Sequence, residues 1–577
     1  MKMKSHAAGS LSRSWGQRRK WRLFAGIALI ALPVLGGIGL ISITRNGSDL
    51  VITFDAEQGA TYHLERKLDL TNSTWQIVSG VPELTAINNG PAQLRDPGAL
   101  NLDKAFYRVS ESKGIFVNAL GGSDGNAGTM LSPKQTLAAG IAAASTNAVK
   151  SVYVSKGIYA ETVTLSNGVS LYGGYDAAAG WLRSDANITT ISSPGPIGIS
   201  GIGLDAALTV EKFNIVAARA SGTGPGGEGL SSYGVLIFDS PGAVTLRALS
   251  ITAGNGTDGQ GGSNGVAGAA GAVGGNASGT THGAAGSSPC GANGGQGADG
   301  VVGTAPGNPG GQGATVGGGG AGASGGNPGG SGSCSATSSS NGGSAPGVSA
   351  NGSLGSGGPG GTPNIALGGL DASGLYLPPS GGAGTVGFTG GGGGGGGSGG
   401  GTASGSPPFC FNCSGIASGG GGGGGAGGCG GLGGAGGRGG GGSFAIAVVN
   451  SVVTIDGASL TAANGGKGGN GGDGGGGGLG GTPGSGVAGA TRSNSCSTRS
   501  GGAGAKGSSG GLGGQGGGGA GGSGGPSICV FYKGIAPTTN GLTCTAGSVG
   551  QGGAGGQGIA QAQPGPSGVS GVIVASN

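Results

Sequence analysis

The sequence predicts a mainly β protein with an N-terminal transmembrane anchor and long glycine-rich inserts. Three observations support this fold class. Short alternating runs of β-branched residues begin at Asp49, glycine recurs at every third position over long stretches, and an apolar run of transmembrane length follows a basic N-terminus. The chain holds 159 glycines among 577 residues, but only 4% aromatic and 8% charged residues. We therefore expect conventional side-chain packing to be concentrated outside the glycine-rich stretches.

The N-terminus predicts a signal anchor. Residues 1–22 are basic, and the run 23–43 is apolar and long enough to cross about 30 Å of hydrocarbon. No small-residue cleavage site follows clearly, so we expect this transmembrane segment to be retained. The positive-inside rule places 1–22 in the cytoplasm and exports the chain after residue 44, into the periplasm or to the cell exterior.

Positive charge is concentrated in the same part of the chain. Eight basic residues precede Asp49, the first acid, and the remaining chain holds 19 basic against 22 acidic residues. Because no basic patch is left beyond the N-terminus, we expect no nucleic acid as a partner. The apolar run predicts the membrane as a partner, through residues 23–43.

Residues 49–112 predict a small β-sandwich. Four short runs, DLVITF, TYHLER, TWQIV and AFYRVS, are separated by turn-rich stretches. Their order resembles that of small β-domains common in exported bacterial surface proteins. On this interpretation His63 and Trp75 are strand and core residues.

Residues 114–255 predict stacked strands. The turn GSDGNAGT, the helical stretch TLAAGIAAA and the β-branched runs after it resemble the first coils of right-handed parallel β-helix proteins of the pectin-lyase-like class. The resemblance implies that a helix caps one end and that short strands stack along a shared core. A further coil is expected at 444–464 and a closing strand at 561–577.

An internal repeat locates the glycine-rich inserts. The stretch 244–256, VTLRALSITAGNG, matches 453–465, VTIDGASLTAANG, and each copy leads into a glycine run. The repeat predicts that inserts at 256–443 and 465–560 interrupt the coils, with Asn255 and Asn464 as exit turns. The whole arrangement resembles glycine-rich, pectin-lyase-like surface proteins of environmental bacteria.

Glycine at every third position indicates three residues per turn. That period matches a left-handed extended helix of the polyproline II type, whose backbone groups must bond to water or to a neighbouring chain. The commonest triplet is Gly-Gly-X, which leaves two faces of each helix free of side chains. We expect a bundle of polyglycine II helices. A flexible chain is the alternative, because glycine loses more entropy on ordering than any other residue.

The eight cysteines all lie in the glycine-rich region. An even number in an exported chain indicates disulfides, which would offset the entropy that glycine loses, and the sequence leaves the pairing open. A zinc or redox role for the CxxC at 410–413 is a weaker interpretation, because no second CxxC or CxxH accompanies it. The disulfide candidates are Cys290, Cys334, Cys410, Cys413, Cys429, Cys496, Cys529 and Cys544.

The sequence predicts no catalytic, cofactor or metal site. The acids of the coil region are scattered, without a DxD pair, and we expect Asp124 to form a turn. Lys156 and Arg183 lack a paired acidic cluster and are interpreted as surface residues. His282 is a lone loop histidine, which is weak evidence for any site.

These features predict an exported, envelope-anchored structural or adhesive protein that is not an enzyme. It would present a disulfide-stapled, glycine-rich layer to polysaccharide or to a neighbouring cell surface. A polysaccharide lyase or hydrolase is one alternative, which requires carboxylates clustered with Lys, Arg or His on one face of the coils. Binding of ice or another crystal surface is the second, which regular rows of threonine or alanine would favour.

Overall fold

The computed structural model describes residues 38–57, 60–69, 75–78, 81–86, 88–334, 339–348, 350–406, 412–495, 497–559 and 561–575. Within this part of the chain there is one α-helix, and the strands form an antiparallel domain, a larger domain of parallel sheets and four two-stranded antiparallel sheets in the glycine-rich stretches. No helix among the described residues is long and apolar enough to cross a membrane.

The predicted N-terminal segments lie mostly outside the described part of the chain. This holds for residues 1–22 and for 23–37 of the predicted anchor. Residues 40–43, the end of that anchor, belong instead to β1 (Leu40–Asn46), which pairs antiparallel with β2 (Asp49–Ala56). The predicted boundary is wrong there because the sequence LISIT alternates as a strand does, although most of it is also apolar.

The antiparallel domain consists of two sheets over residues 40–112. One sheet has the order β1-β2-β6, and the other has the order β4-β3-β5 with β7 paired to β3. Phe54 of the first sheet and Tyr62 of the second pack with their ring centroids 4.8 Å apart, in a shared core. The remaining strands are β3 (Thr61–Lys67), β4 (Gln76–Ile77), β5 (Leu84–Thr85), β6 (Gly90–Asp96) and β7 (Phe106–Ser112).

The two residues assigned to the core of this domain differ in environment. His63 lies in β3, is 5% exposed, and its Nε2 atom is 3.2 Å from Oε1 of Glu65. Trp75 is half-buried just before β4, and the cationic groups of Lys67 and Arg108 lie over its ring. Trp75 is therefore a surface platform, because cations stack well on an indole face.

The parallel domain and its inserts contain one helix, α1 (Leu137–Thr146), and many short strands. The strands are β8 (Ile115–Val117), β9 (Ser151–Ser155), β10 (Gly157–Tyr159), β11 (Val163–Thr164), β12 (Ser170–Asp176), β13 (Leu182–Arg183), β14 (Thr189–Ser193), β15 (Ile197–Ile202), β16 (Leu208–Glu211), β17 (Asn214–Ala217), β18 (Ser232–Phe238), β19 (Val244–Arg247), β20 (Ser250–Thr252), β21 (Ser333–Cys334), β22 (Ser339–Ser340), β23 (Gly369–Leu370), β24 (Tyr376–Leu377), β25 (Thr402–Ser406), β26 (Asn412–Ile416), β27 (Ser443–Val449), β28 (Val453–Asp456), β29 (Ser459–Ala462), β30 (Thr491–Ser493), β31 (Thr498–Ser500), β32 (Ser527–Lys533), β33 (Thr538–Asn540), β34 (Thr543–Ala546) and β35 (Ser570–Ala575).

The chain repeatedly adds one strand to each of three parallel sheets. The eight-stranded sheet has the order β33-β28-β19-β16-β12-β9-β8, with β13 paired antiparallel to β12. The first six-stranded sheet has the order β10-β14-β17-β20-β29-β34, and the second has the order β11-β15-β18-β27-β32-β35. Each turn of the chain from β9 onward visits these sheets in the same sequence.

Inward-facing side chains form columns through the stacked turns. Val210, Leu246 and Ile455 occupy matched positions of neighbouring strands and are fully buried. The helix α1 covers the first turn and contributes Leu137 and Ile141 to the same core. Its N-terminal amides are satisfied by the side chains of Thr136 and Glu161, so the covering helix has a capped start.

The two copies of the internal repeat lie directly side by side. Val244 pairs with Val453, and Ile251 pairs with Leu460. The backbone N–H of Asn464 donates to Oδ1 of Asn255 at 3.0 Å. The matching sequences therefore mark neighbouring turns of the same stack, separated in the chain by an insert.

Three glycine-rich inserts leave the stack, each between the first and the second six-stranded sheet. They span 253–442, 463–526 and 547–569. The predicted insert 465–560 therefore contains a further turn of strands, β32 to β34, and the closing strand, predicted at 561–577, is Ser570–Ala575. The run SICVFYK forms β32 because it is β-branched and aromatic, a signal that the surrounding glycine obscured.

Within the inserts, glycine-triplet runs lie side by side and bond through their backbones at every third residue. Gly259 donates to the carbonyl of Lys467, and Gly262 donates to that of Asn470, each at 2.8 Å. The run 421–442 donates to three neighbouring runs, through Gly422 to Ala505, Gly423 to Gly275 and Gly424 to Gly295. Its carbonyls also accept, as in the bond from Gly393 to Gly425 at 2.8 Å.

Triplets contain more glycines where more faces of the run are covered by neighbouring runs. The all-glycine stretch 390–397 is buried throughout, whereas every X residue of the Gly-Gly-X run from Lys467 to Ser485 is exposed. A Cβ atom added at Gly425 would overlap the carbonyl oxygen of Gly481. Glycine is therefore required wherever a neighbouring backbone approaches, and other residues occur where a face is open.

Candidate functional site

One row of outward-facing side chains crosses the eight-stranded sheet. Its members occupy matched register positions on successive strands, while their inward-facing neighbours are buried. Neighbouring strands lie about 4.8 Å apart, so the row spans roughly 29 Å. We call this set the cross-sheet row: Phe116, Tyr153, Tyr172, Glu211, Arg247, Asp456 and Asn540.

Charged and amide side chains form one half of the cross-sheet row. Arg247 lies between two carboxylates, with its Nε atom 3.2 Å from Oδ2 of Asp456 and its Nη1 atom 3.8 Å from Oε2 of Glu211. Asn540 donates through Nδ2 to Oδ1 of Asp456 at 2.9 Å. The alternating charges neutralise one another, so this half offers hydrogen-bonding groups with little net charge.

Aromatic side chains form the other half. The ring centroids of Phe116 and Tyr153 are 5.3 Å apart, and those of Tyr153 and Tyr172 are 5.9 Å apart. Tyr175 adds a further ring, 5.3 Å from Tyr153. Burial raises the pKa of Tyr175, which keeps its hydroxyl protonated as a donor. The three tyrosines are half-buried, with the rings of Tyr172 and Tyr175 tilted by 32° and 59° relative to that of Tyr153, and they form a partly apolar surface.

Arg183 joins the two halves. Its guanidinium lies 5.3 Å from the ring centroid of Tyr175 and 5.7 Å from that of Tyr172. Its Nη1 atom is 3.0 Å from Oε1 of Glu211, and its Nε donates to the carbonyl oxygen of Gly173 at 2.9 Å. Stacking, ion pairing and a backbone bond together fix one orientation of this side chain.

A local excursion of the chain holds Arg183 in place. The short strand β13 folds back antiparallel on β12, so that Tyr175 pairs with Arg183. Trp181, in the same excursion, packs edge-on against Phe116 at 4.7 Å and donates through Nε1 to the carbonyl of Met130 at 3.1 Å. The excursion is therefore anchored to the aromatic half of the row.

Lys156 and Arg183 are predicted to be surface residues, and Lys156 is more exposed than Arg183. Lys156 is 51% exposed but pairs with Asp176 at 2.7 Å, and Arg183 is 27% exposed and pairs with Glu211. Glu211 and Asp456 are far apart in the chain, and the structure brings both to Arg247. A recurring Thr-x-polar pattern could have located them, at 209–211, 245–247, 454–456 and 538–540.

Hydroxyl side chains form a second regular array, on the first six-stranded sheet. Ser250 pairs in register with Ser459, and Thr252 with Thr461. The next strand, β34, continues both files. Their inward-facing neighbours Ile251 and Leu460 are buried, so the hydroxyl residues face outward. The two files are Ser250, Ser459 and Thr543, and Thr252, Thr461 and Thr545.

Four of the disulfide candidates form two disulfide bonds in the described part of the chain. Cys290 is bonded to Cys429, which ties a turn of the first insert to its central glycine run, and Cys529 is bonded to Cys544, which closes the last turn of strands. Cys334 lies in β21 and Cys413 in β26. Cys410 and Cys496 lie outside the described residues.

Two other predicted positions have structural partners. Both oxygens of the Asp124 carboxylate accept hydrogen bonds, from the backbone of Gln135 and from Thr136, in the turn that precedes α1. The Nδ1 atom of His282 lies 2.7 Å from Oδ1 of Asp299. In the described part of the chain no three His, Cys, Asp or Glu side chains are grouped as metal ligands.

A cavity of about 560 Å³ lies where the first insert meets the stack. Glu228 and Arg438 contribute opposite charges to its lining, next to Pro378 and Pro379. The cavity lies apart from the strands that carry the cross-sheet row.

Comparisons with protein-family models, with curated proteins and with solved structures give no match to this chain. The cross-sheet row, the hydroxyl array and the cavity are therefore interpreted from their own geometry.

Proposed function

We propose that this chain is an exported, envelope-anchored adhesive protein that binds an extended polysaccharide along the cross-sheet row. The three-sheet stack would be a right-handed parallel β-helix, and its inserts a bundle of polyglycine II helices, as in glycine-rich pectin-lyase-like surface proteins. The anchor would lie within residues 23–39, before β1, and a disulfide-stapled bundle would stiffen the exported part. The protein would act by binding and not as an enzyme.

The single observation that supports a polysaccharide ligand is the composition and length of the cross-sheet row. Tyr153 offers a ring for sugar stacking, and Tyr172 and Tyr175 extend the aromatic surface together with the Arg183 guanidinium that lies over them. Arg183, Glu211 and Asn540 offer donors and acceptors for hydroxyls. The accessible part of the row, from Tyr153 to Asn540, spans roughly 24 Å, which accommodates several sugar units of an extended chain, while Phe116 is buried beneath Trp181. A flat row on a rigid sheet needs no closure to bind.

The engagement of the carboxylates favours binding over catalysis. Both oxygens of Glu211 face arginine nitrogens, at 3.0 Å and 3.8 Å. Both oxygens of Asp456 are also used, by Arg247 and by Asn540. A lyase or hydrolase needs a carboxyl or base that is free to transfer a proton to substrate. The row therefore supports a hydrogen-bonding surface better than an acid and base pair.

A polysaccharide panel tests the proposal. The full chain, purified in detergent, is applied to immobilised neutral and acidic polysaccharides, and retention is compared with that of Tyr172→Ala. Tyr172 is half-buried at the outer surface, so its truncation removes a ring face without opening the core. We expect a loss of affinity of about tenfold, which corresponds to 1.4 kcal/mol.

Arg438→Ala is the matched control, because Arg438 is an exposed arginine on the glycine bundle, away from the row. It should retain the affinity of the wild type. Absence of retention on every polysaccharide, or equal retention of Tyr172→Ala and the wild type, would refute the proposed ligand. Release of shortened sugars from the matrix would favour the enzyme alternative.

The hydroxyl array favours a second candidate function, binding to ice or another crystalline surface. Its files repeat along the strand and across the sheet, so the spacing of its hydroxyls is regular in two directions. The substitution Thr461→Lys would interrupt this array at its centre. Thermal hysteresis and ice recrystallisation, measured for wild type and Thr461→Lys, test the idea; no effect of the wild-type chain on ice would dismiss it.

A further inference from the structure

A second set of outward-facing side chains runs beside the cross-sheet row on the same sheet. Each member lies two residues before a member of the row, so the two sets are about 6.6 Å apart along the strands. Every member carries a hydroxyl group and is partly or fully exposed. We call this set the hydroxyl track: Ser151, Ser170, Thr209, Thr245, Thr454 and Thr538.

Most hydroxyl groups of the track are open to a ligand. Thr245 pairs in register with Thr209 on one side and with Thr454 on the other. No hydrogen bond within the described part of the chain occupies the hydroxyls of the threonines, whereas Oγ of Ser170 accepts from the backbone N–H of Thr209 at 3.0 Å. Each hydroxyl can donate one hydrogen bond and accept two, so the track offers unengaged groups at intervals of about 4.8 Å.

The charges around the two sets cancel one another. The strands of the sheet, the excursion that carries β13 and the residues directly after the strands hold four cations and four carboxylates, and each of these lies in an ion pair. The pairs are Lys156 with Asp176, Arg183 with Glu211, Lys212 with Asp185, and Arg247 with Asp456.

This pairing disfavours a charged ligand. A carboxylate or sulfate on a sugar would have to compete with Glu211 and Asp456 for the guanidinium groups of Arg183 and Arg247, and it would lose part of its own hydration. A neutral sugar brings only hydroxyls, which can bond to the open hydroxyls of the track and to the N–H groups that the ion pairs leave unused. The surface is therefore suited to hydroxyl groups and not to added charge.

We propose that the cross-sheet row and the hydroxyl track form one site, and that this site selects a neutral polysaccharide. The inference rests on the proposed polysaccharide function, to which it adds the charge class of the ligand and the threonines of the track as contact residues. A sugar ring carries hydroxyls around its edge. A chain lying across the strands would therefore place one edge over the track and the other over the polar half of the row.

Oxidation of the ligand tests the charge class. Among neutral hexose polymers, the one that the full chain in detergent retains most strongly is compared with the same polymer after its primary hydroxyls have been oxidised to carboxylates. We expect the affinity for the oxidised polymer to be lower by about tenfold. The affinity for the neutral polymer should change by less than about twofold when NaCl is raised from about 50 to 500 mM, because no ionic contact is screened.

Two substitutions place the effect on the site. Asp456→Asn leaves Arg247 with excess positive charge, so the affinity for the oxidised polymer should rise relative to that for the neutral polymer by about threefold. Thr245→Val keeps the branched shape but removes a hydroxyl, and it should weaken binding of the neutral polymer by about threefold. Thr482→Val is the matched control, because Thr482 is an exposed threonine on a glycine run, and it should bind as the wild type does.

The outcomes separate this inference from the proposed function. Equal or tighter binding of the oxidised polymer, retention of acidic polysaccharides alone, or equal affinities of Thr245→Val and Thr482→Val would overturn the inference. In each of those cases, weaker binding by Tyr172→Ala would still support the polysaccharide proposal. If the chain retains no polysaccharide at all, both proposals fail.

Discussion

The amide N–H of Gly425 donates a hydrogen bond to the carbonyl oxygen of Ser508 at 2.9 Å, from the first glycine-rich insert to the second. This bond brings two backbones into direct contact, and a side chain at Gly425 is excluded because its Cβ would overlap the carbonyl oxygen of Gly481. Its neighbours in the run 421–442 make equivalent bonds to other runs. Inserts that are far apart in sequence thus form one hydrogen-bonded unit, and the requirement for glycine can be tested one position at a time.

Gly425→Ala should destabilise the bundle. The new Cβ would overlap the carbonyl oxygen of Gly481, so that the run must move away from its neighbour. Such overpacking costs about 1–3 kcal/mol. Gly476→Ala is the matched control, because a Cβ at Gly476 meets no atom within 4 Å and the backbone there is not left-handed. It should be neutral or stabilising by about 0.5 kcal/mol. Thermal unfolding of the two oxidised variants should show this order, and equal midpoints would argue against close backbone contact.

The two described disulfides should stabilise the protein unequally. Cys290 and Cys429 are 139 residues apart in sequence, whereas Cys529 and Cys544 are separated by 15. A longer closed loop restricts the unfolded chain more, which gives about 5 kcal/mol for the first bond and about 3 kcal/mol for the second in the chain-entropy model. Paired Cys→Ala variants, compared by the free energy of unfolding under oxidising conditions, check the order. A larger loss from removing the shorter loop would contradict it.

The carboxylate of Asp124 should make the start of the stack sensitive to acid. Burial alone would raise the pKa of this group, but hydrogen bonds from Thr136 and Gln135 outweigh that effect and lower it. A folded-state pKa below the unfolded value of about 3.9 means that the stabilisation is present above that pH. It is lost as pH falls through the folded pKa.

Asp124→Asn checks this dependence, because asparagine keeps one acceptor oxygen but does not titrate. The wild type should unfold at a higher temperature than the variant at pH 7, and the difference should shrink as the pH falls through the lowered pKa of Asp124. A difference in unfolding temperature that stays constant from pH 7 to pH 2 would show that the carboxylate charge does not contribute.

The sequence predicts that similar turns of strands stack on one another, but it does not predict how many turns there are. The repeat at 244–256 and 453–465 identifies neighbouring turns, because side chains that stack in one column must be alike. The last turn was missed because β33 and β34 are short and polar and carry little hydrophobic signal. The glycine period is readable because every third residue meets the same neighbour.

The cross-sheet row was harder to predict than the fold. Arg247 and Asp456 are 209 residues apart in sequence, and only the alignment of the repeat at 244–256 with that at 453–465 pairs them. The position of Arg183 depends on the excursion that carries β13, which has no counterpart in the other turns. The sequence therefore pairs Arg247 with Asp456 through the repeat, while the contacts of Glu211 and Arg183 become visible only in the structure.

Amide hydrogen exchange of the full oxidised chain tests the central claim most directly, that the glycine-rich inserts form one ordered, hydrogen-bonded bundle on the three-sheet stack. Protection should be strong in the buried stretches 390–397 and 421–428, and weaker at the exposed X positions of the run 465–485. Protection in these stretches comparable to that of the core strand β27 would agree with the account. Exchange at the rate of an unstructured glycine chain throughout 390–428 would contradict it.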